Sequence, residues 1–221
     1  MIPVAVFRDR YDAGERLGAA LRSFASERPL IVLGLPRGGV PVAARVADGL
    51  QAPLDVFIVR KLGVPGHEEV AMGAIASGGT EVLNRDVIQH FDVSQRAIDR
   101  VIAAERRELE RRETAYRDGR RLPVLVGETV IVVDDGAATG ASMRVAVHAL
   151  RQLGARKIVA AVPVASSDAV ETLDAEADAC VALVTPEPFY GVGAWYGDFS
   201  ETTDAEVRSC PTIPDNMSQS A

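Results

Sequence analysis

Apolar residues fall into two patterns along this chain, short unbroken runs and longer stretches with helical spacing, and the two alternate. The run 30–35 (LIVLGL) is continuous, as expected of a strand buried on both faces of a parallel sheet. Ahead of it, Asp12 with Glu15 three residues on reads as a capping box that opens a helix through about Phe24, with Leu17, Ala20, Leu21 and Phe24 at helical spacing. Behind it comes the loop Pro36-Arg37-Gly38-Gly39. Pro41 then suits the first turn of a helix that carries Val42, Val46, Ala47 and Leu50 inward. The run 54–59 (LDVFIV) predicts the next strand and completes a strand-helix-strand unit. A second unit begins at Thr129, with a strand over 130–133, a loop over 134–140, a helix to about Leu153, Gly154 as its C-cap and a strand over 157–164. One further strand is predicted over 180–184, before an aromatic segment.

Between the two units the pattern changes. VPGHEEV reads as an exposed loop, and AMGAIA, SGG and TEVLN as two short strands around a glycine turn, so a hairpin is expected within about 62–83. Asp92 or Ser94 then caps a long helix, about 95–117, in which ERRELERRE mixes charges at one-turn spacing and reads as a solvated or interface-flanking face.

This alternation predicts an α/β fold with a doubly wound, mostly parallel sheet, whose ligand crevice lies beyond the carboxyl ends of the strands. The loops 36–39, 60–79 and 134–140 all leave such ends. With 221 residues and 48% apolar content the chain can fill one core without disulfides, and one domain over 1–207 is expected, followed by a disordered tail over 208–221. Cys180 and Cys210 are too far apart for a CxxC pair, which fits a reducing cytoplasm. The net charge of -7 argues against a nucleic-acid partner. No apolar stretch approaches the roughly 20 residues of a membrane span, and the N-terminus does not read as an export signal.

The candidate chemistry concentrates in 130–142, VIVVDDGAATGAS. Asp134 and Asp135, adjacent at a strand's end, offer acceptors for a diol or a place beside a hydrated cation. Gly136, Ala137, Ala138 and Gly140 let main-chain amides approach a ligand, the following helix N-terminus favours an anion, and Thr139 and Ser142 add hydroxyls. Together these make a site for a pentose phosphate. Taken alone, Asp-Asp-Gly is also an ordinary turn, and Thr139 or Ser142 an ordinary cap.

The whole string is similar, position for position, to the phosphoribosyl pyrophosphate (PRPP) signature of type I phosphoribosyltransferases: four apolar residues, two acids, a small-residue loop with Thr-Gly, and a hydroxyl residue. The resemblance extends to about Phe199. It implies that family's fold, with a hairpin flap and a small hood, and transfer of 5-phosphoribose from PRPP to a small nitrogenous-base acceptor with release of pyrophosphate. Mg2+ is the implied cofactor, held through PRPP and water near Asp134 and Asp135 rather than by direct protein ligands. On this resemblance Asp134 and Asp135 hold the ribose hydroxyls, and 136–140 with Ser142 cradle the 5'-phosphate. Arg37, Gly38 and Gly39 form the pyrophosphate loop, Arg60 and Lys61 face the leaving group, and the flap closes over the reaction. Relatives commonly pair as homodimers.

One position departs from the pattern. Ala138 stands where the 6-oxopurine branch carries an aspartate that serves as base, which lowers the case for hypoxanthine or guanine; Glu68 or Glu69 is the replacement available in the flap. His67, His90 and His148 are isolated, and no HExxH motif is present. Phe189, Tyr190, Trp195 and Tyr196, with Phe199, lie where relatives form the hood; these rings can stack on a planar acceptor, pack on the core or fill a dimer contact. A regulator that senses PRPP or a nucleotide, and a phosphosugar hydrolase, are the rival readings. A P-loop enzyme is excluded, because GAATGAS lacks the GK[ST] ending.

Overall fold

A computed structural model describes residues 5–210. The first half of the chain runs α1 (Arg10–Ala20), β1 (Leu30–Gly34), α2 (Gly39–Leu50), β2 (Leu54–Val56), β3 (Val59–Val64), β4 (His67–Ala76), β5 (Thr80–Leu83), α3 (Arg85–His90) and α4 (Gln95–Arg117). The second half runs β6 (Thr129–Val133), α5 (Ala141–Gln152), β7 (Lys157–Val164), α6 (Ser167–Glu176), β8 (Ala179–Val184) and α7 (Asp204–Ser209).

Five strands form one parallel sheet in the order β2-β1-β6-β7-β8. Its unbroken apolar runs are explained by burial on both faces. Val32, Ile131, Val133, Val159 and Ala161 pack on one side with Leu17 of α1 and Val40 and Val46 of α2. The alternate residues Ile31, Leu33, Val130, Val132 and Ile158 pack on the other side with Met143, Ala146 and Leu150 of α5 and Leu173 of α6. The carboxyl ends of β1 and β6, adjacent and in register from Leu30 opposite Thr129 to Gly34 opposite Val133, therefore open on the same side.

Several expectations change. The cap of α1 is Asp9, whose side chain accepts from the Asp12 amide at 2.8 Å. Asp12 is instead spent inside the first turn, accepting from the Arg8 amide at 3.1 Å and pairing with Arg16 at 3.0 Å. The run 54–59 is not one strand: the Ser77 hydroxyl and amide take up the Ile58 backbone, and the chain leaves the parallel sheet to start an antiparallel one, β3-β4-β5. The expected hairpin is β4-β5, but VPGHEEV, expected as open loop, forms a second hairpin that turns at Gly66, where φ is 80°. Gly78, in the other turn, is pinned: a Cβ there would lie 2.9 Å from Leu153. Of the two candidates, Ser94 caps α4. At the C-terminal side α7 carries order past 207, with Val207 in the core and Cys210 buried; the rest of the expected tail, 211–221, lies outside the described residues. Among the described residues no helix is long and apolar enough to cross a membrane.

The long helix α4 is fastened at its last turn by Arg117, which is 1% exposed and pairs with the equally buried Asp55 on β2 at 3.1 Å. The same guanidinium reaches Glu113 at 2.8 Å and the Val56 carbonyl. Burial pushes the Asp55 carboxyl above its ordinary range, and the Arg117 charge pulls it back only in part. Removing one member of such a pair strands the other's charge, at a cost of about 3–5 kcal/mol. Arg117→Met is therefore expected to lower unfolding stability in urea by about 3–5 kcal/mol; a loss under about 1 kcal/mol, the scale of an exposed pair, would show that this pair does not anchor the helix.

Candidate functional site

The acids Asp134 and Asp135 follow β6 directly, and their geometry is set by what crowds them. Asp134 accepts from the Asp135 amide through Oδ1 at 2.9 Å. Asp135 Oδ2 accepts from Arg10 Nε at 2.8 Å, and a second guanidinium nitrogen of Arg10 lies at 2.8 Å from the same oxygen. The Tyr196 hydroxyl donates to the Asp135 carbonyl at 2.6 Å. Burial pushes both carboxyls up from the ordinary aspartate range; the charge of Asp135 adds to the rise at Asp134, and Arg10 opposes it at both. Burial, then the Asp135 charge, also raises the Tyr196 hydroxyl.

Arg10 was not legible as a site residue, because nothing near it in the chain marks it. It arrives through backbone pairing between the two ends of the domain: Phe7 bridges Tyr196, and the Asp198 amide donates to the Arg8 carbonyl at 2.7 Å. The third nitrogen of Arg10 donates to the Ser200 carbonyl at 2.7 Å, and its guanidinium lies 4.0 Å from the Phe199 ring centroid.

The loop after β1 lies against the acids. A Cβ on Gly38 would fall 2.0 Å from Asp135 Oδ2, and one on Gly39 would fall 2.7 Å from the Val133 carbonyl, so neither position tolerates a side chain. Arg37 extends from this loop to Glu201, with Asp204 at 3.7 Å from another of its nitrogens.

The loop over 136–140 divides. The Ala137 amide is spent on the Val164 carbonyl at 2.9 Å, so this residue does not offer the donor expected of it. Ala138 and Thr139 are exposed, and among the described residues the amides of Ala138, Thr139 and Gly140 donate to no other atom. Gly140 takes φ of 69° as the N-cap of α5, whose first turn includes the exposed Ser142. These donors and the helix dipole together suit a phosphate. Ser166 steadies the arrangement by donating to the Ala138 carbonyl at 2.7 Å.

Other expected residues stand apart. Arg60 lies on β3 and is held by Glu105 of α4 at 2.6 Å; Lys61 is exposed and reaches Glu69 at 3.8 Å. No ion pair or hydrogen bond joins either to Asp134 or Asp135 among the described residues. In the aromatic segment 189–199, Trp195 and Phe189 pack with Phe7, Val164 and Leu183, and Tyr196 is tilted between Phe7 and Phe199, leaving Tyr190 and Phe199 as the exposed rings. Val192 covers the loop, since a Cβ on Gly136 would meet it at 2.4 Å. A cleft of about 710 Å³ lies elsewhere, between the antiparallel sheet and the flank of α5, lined by Leu83, Arg144 and His148. It does not include the acids. For a divalent cation, no group of three or more His, Cys, Asp or Glu able to hold a metal occurs among the described residues. The donor set present, two carboxylates with one gripped by arginine, fits a hydrated cation carried largely by substrate oxygens.

The phosphoribosyl transferase domain model matches residues 9–192, which spans both loops and the acids. The chain belongs to this family. Proteins from two strains of Mycobacterium tuberculosis that carry the name phosphoribosyl transferase are 46% identical over 202 residues. This chain is 91% covered by that match but spans only 45% of those relatives' length. The crystal structure of TT1426 from Thermus thermophilus is 46% identical, with a TM-score of 0.82, over 92% of this chain and 96% of that one. The α/β fold with its five-stranded parallel sheet is thus that of type I phosphoribosyltransferases.

The raised Asp134 has a consequence for stability. Its native carboxyl holds a proton to higher pH than in the unfolded chain, so stability falls as pH rises from about 3.9 through the raised value. Asp134→Asn keeps an acceptor for the Asp135 amide and removes the charge. This variant is expected to melt higher than wild type at pH 8, by about 2–4 °C for each kcal/mol relieved, and at the wild-type temperature near pH 3.5. The same difference at both pH values would reject charge burial as its cause.

Proposed function

We propose that this chain transfers 5-phosphoribose from PRPP to a nitrogenous-base acceptor and releases pyrophosphate. The observation that carries the reading is the convergence of two loops at the ends of β1 and β6: side-chain-free glycines touch the two acids on one side, and unspent amides lie on the other. That is a layout for a pentose with an anion at each end.

In this reading the amides of Ala138, Thr139 and Gly140, with Ser142, bind the 5'-phosphate. Asp134 and Asp135 accept from the ribose hydroxyls and stabilise the positive charge that develops at the sugar ring as the bond to pyrophosphate breaks. Gly38 and Gly39 admit the pyrophosphate to the loop, and Arg37 balances its charge. Asp134 and Asp135 would hold a hydrated Mg2+ beside the substrate, and that ion would supply charge neutralisation for the leaving group. Arg60 and Lys61, on the strand that leads into the flap, balance the charge of the pyrophosphate when the exposed turn around Gly66 closes over it. No side-chain nucleophile is needed. Ala138 leaves the loop without a base for a purine, so the acceptor's proton goes to solvent or to Glu68 or Glu69. Tyr190 and Phe199 are the rings with surface to offer it.

Pyrophosphate release, followed with Mg2+ and PRPP across a panel of purine, pyrimidine and pyridine bases, tests the reading directly. Wild type is expected to release it with at least one base, and Asp135→Asn to lose at least about a hundredfold of that rate while keeping a cooperative melt, at a lower temperature because Arg10 loses its partner. Release with water alone would identify a hydrolase, and PRPP binding without release across the panel a sensor. Glu201 is 76% exposed and competes with pyrophosphate for Arg37. An exposed pair is worth up to about 1 kcal/mol, so Glu201→Gln is expected to bind pyrophosphate up to about fivefold more tightly; weaker binding in calorimetry would place Glu201 on the ligand's side.

A further inference from the structure

We propose that Arg10 is the positioning residue for Asp135, holding its carboxylate where it meets the ribose hydroxyls. The inference rests on the phosphoribosyl reading above. Both guanidinium contacts, Nε and a terminal nitrogen at 2.8 Å each, fall on Oδ2 alone. Among the described residues no other residue donates to Oδ1, which leaves that oxygen for a sugar hydroxyl. The arginine itself has no freedom to swing: its side chain is 12% exposed, its remaining nitrogen is held by the Ser200 carbonyl, and its face rests on Phe199.

The pair also sits between the two ligand loops. A Cβ on Gly38 would lie 2.0 Å from Asp135 Oδ2 and 3.1 Å from Arg10 Nε, so the pyrophosphate loop is glycine where Arg10 and Asp135 meet. Displacing the arginine would therefore rearrange the floor shared by ribose and pyrophosphate. A planar fork stacked on a ring fixes direction as well as charge, which an ammonium group does not.

Charge makes the role testable. The groups facing Asp135 are Asp134 beside it, Arg10 from α1 and Tyr196 from the C-terminal aromatic segment, and the charge of Asp198 acts on Arg10 in turn. Without the arginine, two desolvated acids are left together, and Asp135 must hold its proton to higher pH. An ionised carboxylate is the stronger acceptor for a hydroxyl, so ribose binding should be lost at a higher pH than in wild type.

Calorimetric titration with ribose 5-phosphate and Mg2+ between pH 5 and 8, on wild type, Arg10→Met and Arg10→Lys, tests this. Ionisation of the phosphate monoester is common to all three and cancels in the comparison. Arg10→Met is expected to bind at least about tenfold more weakly at pH 7, with the pH midpoint of binding moved up. Arg10→Lys is expected to return the midpoint toward wild type but to keep part of the affinity loss, because the charge survives and the fork does not. Weaker binding with an unmoved midpoint in Arg10→Met would assign Arg10 a structural role and overturn the inference. Should Arg10→Met not fold, full affinity in Arg10→Lys would overturn it equally. If wild type itself binds no ribose 5-phosphate, the phosphoribosyl reading falls and this inference with it; if wild type binds and the midpoint stays, only this inference falls.

Discussion

Two carboxylates share the end of β6 where little water reaches them, and their mutual repulsion is the constraint around which the rest of the site is arranged. Adjacent half-buried acids, with little water to screen them, cannot both stay ionised without a compensating charge. The compensation comes from Arg10, and Arg10 can be there only because the start of the domain is stitched to its end through Phe7, Arg8, Tyr196 and Asp198. Tyr196 adds a hydrogen bond to the Asp135 main chain, and Gly38 and Gly39 omit the side chains that would collide with the acids. A single local sequence feature thus accounts for features placed at both termini.

The fold was legible wherever the sheet's burial is two-sided. Runs such as Leu30–Gly34 and Lys157–Val164 are apolar at nearly every position because alternate residues feed two separate cores, and their limits can be read to within a residue. The long helix Gln95–Arg117 was equally plain, since Ser94 caps it and charges repeat at one-turn spacing. The short helices Arg85–His90 and Asp204–Ser209 carry too few turns to show a period. The cap at Asp9 was hidden by a second acid three residues on, and the choice between them was decided by the main chain of Arg8.

Of the site, the part carried by consecutive residues was legible and the part carried by distant ones was not. The string 130–142 announces acids, small residues and a helix start together, and the structure keeps that order. Even there, sequence could not distinguish Ala137, whose amide is spent on Val164, from Ala138 and Thr139, whose amides donate to no atom among the described residues. Arg10 lies 125 residues from its partner, a distance at which no spacing rule applies. Arg60 and Lys61 follow an apolar run, but the run breaks at Phe57, and the two basic residues leave on a different sheet. The aromatic segment was expected as a hood with rings free to stack on a ligand, yet Trp195, Phe189 and Tyr196 are spent on packing.

Burial separates the two arginines at the site. Arg10 and Asp135 are 12% and 16% exposed, while Arg37 and Glu201 are 39% and 76% exposed. An ion pair in water exchanges readily, because its net worth is small and any stronger anion can take the partner. One removed from water cannot open without stranding a charge. The exposed arginine is therefore suited to meeting a substrate anion that comes and goes, and the buried one to holding fixed a group the substrate must find already in place. On that argument the geometry around Asp135 is fixed by the chain itself, whereas the pair formed by Arg37 with the acids of the C-terminal segment is open to exchange.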